Sequence, residues 1–150
     1  MILENRLQTV LATSYNFALE AQRYHWNVMG TQFHSYHEFY QKIYEEVNGA
    51  VDDIAEQIRS RGTHPVSTLK GMLFHSNITD EEDLVTNPSL QIDKLEEDNQ
   101  IVIAAIRDAM VEAKDAGAED VDDFLIERLR AHRQHGWMIS AHGGRQQTNG

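Results

Sequence analysis

The chain holds only two prolines, Pro65 and Pro88, and both fall in its middle third. Proline removes a helix hydrogen bond and clashes with the preceding turn, so its placement limits where long helices can run. From Leu3 to about Val28, the residues Leu3, Leu7, Val10, Leu11, Phe17, Ala18 and Ala21 recur at the spacing of one helix face, and Gly30 closes the segment. A second run, from about Phe33 to Arg61, carries Tyr36, Phe39, Tyr40, Ile43, Tyr44, Val47, Val51, Ile54, Ala55 and Ile58 and stops at Gly62. A third runs from about Ser89 to Ala116, ahead of Gly117, and a fourth from about Val121 to His142, ahead of Gly143 and Gly144. Between Thr63 and Pro88 the chain is polar, with one apolar patch at Leu69, Met72, Leu73 and Phe74. That stretch reads as a long connection holding one short helix, and a connection of this length is itself a fold clue. The expectation is an all-α single domain over residues 1–150. Helices one and two, and three and four, join by short turns, one long crossover links the pairs, and residues 143–150 form a short flexible tail.

Charge narrows the function. Lys and Arg number 13 against 24 Asp and Glu, a formal charge of -11. Such a chain suits cations rather than phosphate backbones. The absence of cysteine removes disulfides, thiolate zinc sites, iron–sulfur ligation and cysteine nucleophiles. The run Ile101 to Ile106 is far too short to span a membrane, and the first residues lack a signal-peptide layout, so a cytoplasmic protein is expected.

A bundle with one long crossover is the arrangement of ferritin-like folds, whose di-iron sites use Glu-x-x-His pairs inside the bundle. None of the eight histidines has Glu three positions earlier. Another constellation exists. On the second helix, His37, Gln41, Asp52 and Glu56 fall within an arc of about 100°. Asp52 and Glu56 are i,i+4 neighbours able to share a cation. His37 and Glu56 lie roughly 28 Å apart along the axis, so one helix cannot bring them together. A second copy can: packed antiparallel across a two-fold axis near residues 44 and 45, its Asp52 approaches His37, and each dimer gains two equivalent sites. Imidazole with carboxylate suits Fe(II), Mn(II) or Zn(II). The plainer alternative is a solvated acidic face, with His25 a hydrogen-bonded core histidine beside Trp26.

The stretch Tyr24-His25-Trp26-Asn27-Val28-Met29-Gly30, then Phe33 and His37-Glu38, resembles the signature of Dps proteins, the miniferritins that protect DNA during starvation. The similarity continues through Val51-Asp52-Asp53-Ile54-Ala55-Glu56-Gln57-Ile58, resumes at Ser67 to Lys70 and His75-Ser76, and extends over the last helix from Glu127-Arg128 to His142. The resemblance implies a hollow homo-dodecamer built from two-fold dimers. It implies Fe(II) sites between subunits, oxidation preferably by hydrogen peroxide rather than dioxygen, and ferric oxide stored inside. By motif position, His25 and His37 come from one subunit and Asp52 and Glu56 from its partner, as catalytic and metal-binding residues. Zinc or manganese suits the same donors. Trp26 stands near the site as an aromatic able to intercept oxidising equivalents, or simply as a packing anchor.

Two positions depart from the family pattern. Gln41 stands where an Asp ligand is usual; it offers a carbonyl oxygen but no charge, which weakens a second metal position. Met29 stands where many relatives carry Arg. The resemblance also implies an iron-admitting pore lined by acids before and within the last helix: Glu119, Asp120, Asp123 and Glu127. The alternative for these is charge complementing a helix dipole. A Lys/Arg-rich tail is missing, so DNA binding is expected to be weak or absent. His132 and His135, at i,i+3, form a pair short of a third zinc ligand. Two rivals remain: a metal-binding cage that oxidises iron weakly because of Gln41, and a nucleoid-compacting structural protein in which metal only stabilises the dimer.

Overall fold

The computed structural model describes residues 2–145. Its helices are α1 (Ile2–Asn27), α2 (Phe33–Ser60), α3 (Leu69–His75), α4 (Pro88–Asp115) and α5 (Glu119–His142), with no strand among the described residues. The architecture is the expected all-α, ferritin-like bundle with a short helix in its long connection.

Two glycines end helices as their conformation requires. Gly62 (φ 91°) and Gly117 (φ 66°) adopt the left-handed backbone that side chains resist. Past each, the next amide reaches back to a carbonyl near the helix end: Thr63 N to Ile58 O at 3.3 Å, and Ala118 N to Ala113 O at 2.8 Å. Two helices begin earlier than periodicity indicates. Pro88 is the first residue of α4, because that position needs no N–H. Asn87 caps it, its side-chain oxygen accepting from Ser89 N at 2.8 Å and Leu90 N at 3.2 Å. Helix α5 starts at Glu119, and Glu119, Asp120 and Asp122 in its first turn favour the positive end of the dipole.

Helices α1 and α2 pack as one hairpin and α4 and α5 as another; α1 also lies against α4 and α3, whereas α2 and α5 meet only narrowly. Phe39, Tyr40, Ile43, Val47, Ala50, Ile54 and Ile58 form the buried stripe of α2. Burial of each large side chain of this kind stabilises by roughly 1.5–3 kcal/mol. On the opposite face of α2, Asp52, Asp53 and Glu56 are exposed.

Central α1 is buried even at polar positions, which hold down the crossover. Gln8 donates to His64 O (2.9 Å) and accepts from Val66 N (2.8 Å). Thr13 accepts from Asn77 N at 3.1 Å, and Asn16 donates to Ile78 O at 3.1 Å. The short α3 buries none of its residues: Leu69, Leu73 and Phe74 are exposed.

The bundle interior carries two polar clusters. Arg128 grips Glu46 through two bonds of 2.6 and 3.1 Å, and His135 adds a third at 2.7 Å. Fully buried His132 donates from Nδ1 to Asn99 (2.9 Å) and accepts from Arg128 at Nε2 (3.2 Å). Both nitrogens of His132 are therefore engaged in protein bonds, so the His132/His135 pair is a structural link between α2, α4 and α5 and not a zinc site. Deeper between α1 and α4, Glu20 and Asp98 are buried together, with Lys94 3.1 Å from Asp98. Within the expected tail, Arg145 pairs with Asp93 at 2.7 Å and Glu96 at 3.1 Å; residues 146–150 lie outside the described residues.

Candidate metal centre

The α1–α2 hairpin brings two histidines twelve residues apart into contact. His25 lies in the last turn of α1 and His37 in the second turn of α2, so the reversal at Gly30 sets them side by side. Their rings stack with centroids 3.7 Å apart and planes 13° apart. His25 Nδ1 donates to His37 O at 2.6 Å, and His37 Nδ1 donates to His25 O at 2.7 Å. In the neutral rings this fixes the proton on Nδ1 and leaves the lone pair on Nε2, the orientation metal-bound histidines take. Phe33 stacks on His37 from outside at 4.9 Å, and Tyr44 meets His25 edge-on at 5.3 Å. His25 is buried and His37 half-buried.

Further along the same helix, Asp52, Asp53 and Glu56 each place one oxygen within 4.8 Å of the others. Among the described residues this is the one group of three acidic or imidazole side chains that close. A hydrogen bond with Asp52 and the like charge of Asp52, with Asp53 adding to it, push the Glu56 carboxyl above its ordinary range. Clustered carboxylates that repel one another are relieved by a shared cation. The acids and the histidines remain separate within one chain, since fifteen residues of helix between His37 and Asp52 span roughly 22 Å. Gln41 lies between them, one turn past His37, and its amide donates to Glu45 at 2.8 Å.

A ferritin-like domain model matches residues 4–147, nearly the whole chain. The DNA protection during starvation protein of Listeria innocua is 31% identical over 133 residues, covering 86% of this chain and 83% of the relative. The chain belongs to the Dps family of ferritin-like proteins. An uncharacterised low-temperature-induced protein of Nostoc sp. is 29% identical over 136 residues, 90% of this chain and 76% of the relative. Among solved structures, the Dps protein of Vibrio cholerae O1 superimposes with a TM-score of 0.89 at 25% identity, over 93% of this chain and 87% of that one. That protein is described as a member of a broad superfamily of ferritin-like diiron-carboxylate proteins.

The remaining site candidates of this Dps chain fall at its surface. Trp26, next to His25, is 61% exposed. Glu119, Asp120, Asp123 and Glu127 are all exposed at the start of α5. Asp53 was not among the sequence candidates: it lies about 60° around the helix from Glu56, at the margin of the His37 face. Its i,i+3 spacing to Glu56 was the available signal. The crossed histidine–carbonyl pairing had no sequence signal, because any residue supplies a carbonyl. No helix among the described residues is long and apolar enough to cross a membrane.

Proposed function

We propose that the chain is a miniferritin that takes Fe(II) as substrate at sites shared by two subunits. His25 and His37 of one subunit face the partner subunit's Asp52 and Glu56, with the partner subunit's Asp53 beside them. One observation carries this reading: a histidine pair joining the end of α1 to the start of α2 leaves two Nε2 lone pairs unused by its own bonds, and an exposed carboxylate cluster stands further along α2, too far away to meet it within a chain. An antiparallel two-fold contact of α2 near Tyr44 and Glu45 unites them twice over. The apolar residues left exposed next to the histidines in the hairpin, Trp26, Met29 and Phe33, are surface such a contact would cover.

The donors fit a first-row divalent metal: imidazole nitrogen with carboxylate oxygen accommodates Fe(II), and equally Zn(II) or Mn(II). The acids neutralise cationic charge, and more so as the ion is oxidised to Fe(III), while the imidazoles hold it without adding charge. Hydrogen peroxide, in preference to dioxygen, accepts the electrons, and ferric oxide collects inside a hollow dodecamer in the cytoplasm. Glu119, Asp120, Asp123 and Glu127 line the channels that admit Fe(II), focusing field at their mouths. Trp26 is placed to intercept stray oxidising equivalents. Protection of DNA is then chemical, by removal of Fe(II) and peroxide, with little contact between protein and nucleic acid.

A second reading, a cage that binds metal but oxidises it slowly, is favoured by one feature: Gln41 adds no charge beside His37. Stopped-flow oxidation distinguishes the two. Anaerobic protein loaded with Fe(II) and mixed with peroxide should develop ferric absorbance rapidly, more slowly in air, with a soluble product. No acceleration over free iron would favour the second reading.

A further inference from the structure

The Gln41–Glu45 hydrogen bond fixes which end of the Gln41 amide faces the metal centre. Nε2 of Gln41 donates to Glu45 Oε1 at 2.8 Å. A carboxylate accepts and never donates, so the pairing commits the amide nitrogen to Glu45 and turns the carbonyl oxygen away from it. One turn back along the helix, on the same face and on the side opposite Glu45, stands His37. Among the described residues nothing donates to Gln41 Oε1. Within the single chain Gln41 is half-buried and Glu45 exposed, and the proposed two-fold contact places Glu45 beside the axis, on the side of Gln41 away from His37.

From this we infer that Glu45 is a positioning residue: it orients the Gln41 carbonyl as a neutral oxygen ligand for a metal held by His37. This rests on the proposed intersubunit site. The arrangement gives the site two unequal metal positions, one rich in carboxylate and one built on imidazole and amide. The Glu45 carboxylate restores at one remove the negative charge that Gln41 lacks, as outer partners of metal ligands commonly do. Without Glu45 the amide is free to flip and present its N–H groups, which repel a cation.

Calorimetric titration of the metal-free full-length protein with Zn(II) tests this, with light scattering to monitor assembly. Wild type should show two binding classes per site, one tight and one weak. Glu45→Ala should weaken the second class at least tenfold and leave the first unchanged. Glu45→Gln, whose own carbonyl still accepts from Gln41, should keep the second class within about threefold, and Gln41→Asp in the Glu45→Ala background should restore it. A single class in wild type, an unchanged second class in Glu45→Ala, or its loss in Glu45→Gln overturns the positioning role. Asp52→Asn separates this from failure of the site itself: if the tight class survives that change, the intersubunit site is wrong and the role of Glu45 falls with it.

Discussion

His25 and His37 hold each other through a reciprocal pair of bonds, each ring's Nδ1 donating to the other's backbone carbonyl at 2.6 and 2.7 Å. The pairing ties the end of α1 to the start of α2 and leaves both Nε2 lone pairs out of these bonds. The same contact thus closes the hairpin and, in the proposed site, orients two metal ligands. Replacing either ring should separate those roles. His37→Phe keeps an aromatic ring for stacking but has no nitrogen, so Zn(II) affinity should drop at least tenfold while helicity stays at the wild-type level. Calorimetry and circular dichroism measure the two sides; unchanged affinity would remove His37 from the site.

Asp52 is exposed and stands beside Asp53 and Glu56, acids of the same charge, so little folding energy depends on its own charge. Asp52→Asn should therefore abolish rapid Fe(II) oxidation and leave the melting temperature within a few degrees of wild type. Losing one of three mutually repelling carboxylates also lowers the Glu56 pKa toward its ordinary range. Rapid oxidation persisting in this variant would require another ligand in its place.

The buried Glu20–Asp98 pair predicts how stability varies with pH. Burial, then the hydrogen bond with Asp98 and its charge, push Glu20 up to about 10, against opposition from Arg23 and Lys94. Glu20 therefore stays protonated in the folded protein at neutral pH, while the unfolded chain releases that proton near 4.5. A raised pKa stabilises fully below the unfolded value and progressively less as pH rises toward the folded one. From pH 6 to 9 this group should lower stability by up to about 1.4 kcal/mol per pH unit. Glu20→Gln, which keeps a neutral hydrogen-bonding group, should flatten that slope in denaturant titrations. An equally steep slope in the variant would assign the dependence to other groups.

Charge sets the expectation for nucleic acid. At a formal -11, with 13 Lys and Arg against 24 Asp and Glu, these residues are poorly suited to neutralising phosphates. Native gels at physiological salt should show no retardation of duplex DNA, and none at low salt either, where electrostatic binding is strongest. Retention at low salt would contradict this and revive a structural role on the nucleoid.

Much of the fold was legible because its signals are local. Gly62 and Gly117 mark helix ends by a conformation few other residues tolerate, and the apolar spacing of α2 marks its buried face without reference to any other helix. Pro88 showed the limit: as a breaker it reads equally as the end of a connection or the first residue of α4, and the Asn87 cap decides. The candidate site was legible as residue types on one face of α2. Its finer parts were not. The histidine–carbonyl pairing uses backbone atoms that every residue has, and Asp53 enters the acidic group by side-chain reach from the margin of the face. Glu20 and Asp98 belong to separate helices that only tertiary packing brings together, while Ala18 and Ala21 make that part of α1 read as plain core.

In the proposed assembly each site takes its histidines from one subunit and its carboxylates from another. Co-assembly of two inactive variants reads this out. His37→Ala and Asp52→Asn proteins, mixed in equal amounts, unfolded and refolded together, form half of their dimers from one of each. Every mixed dimer then carries one site with both faults and one intact site, so about a quarter of all sites should be restored. Rapid Fe(II) oxidation should return to about that fraction of the wild-type level, although neither variant alone shows it. No recovery, in assemblies shown by mass spectrometry to contain both chains, would mean that the site is not shared between subunits.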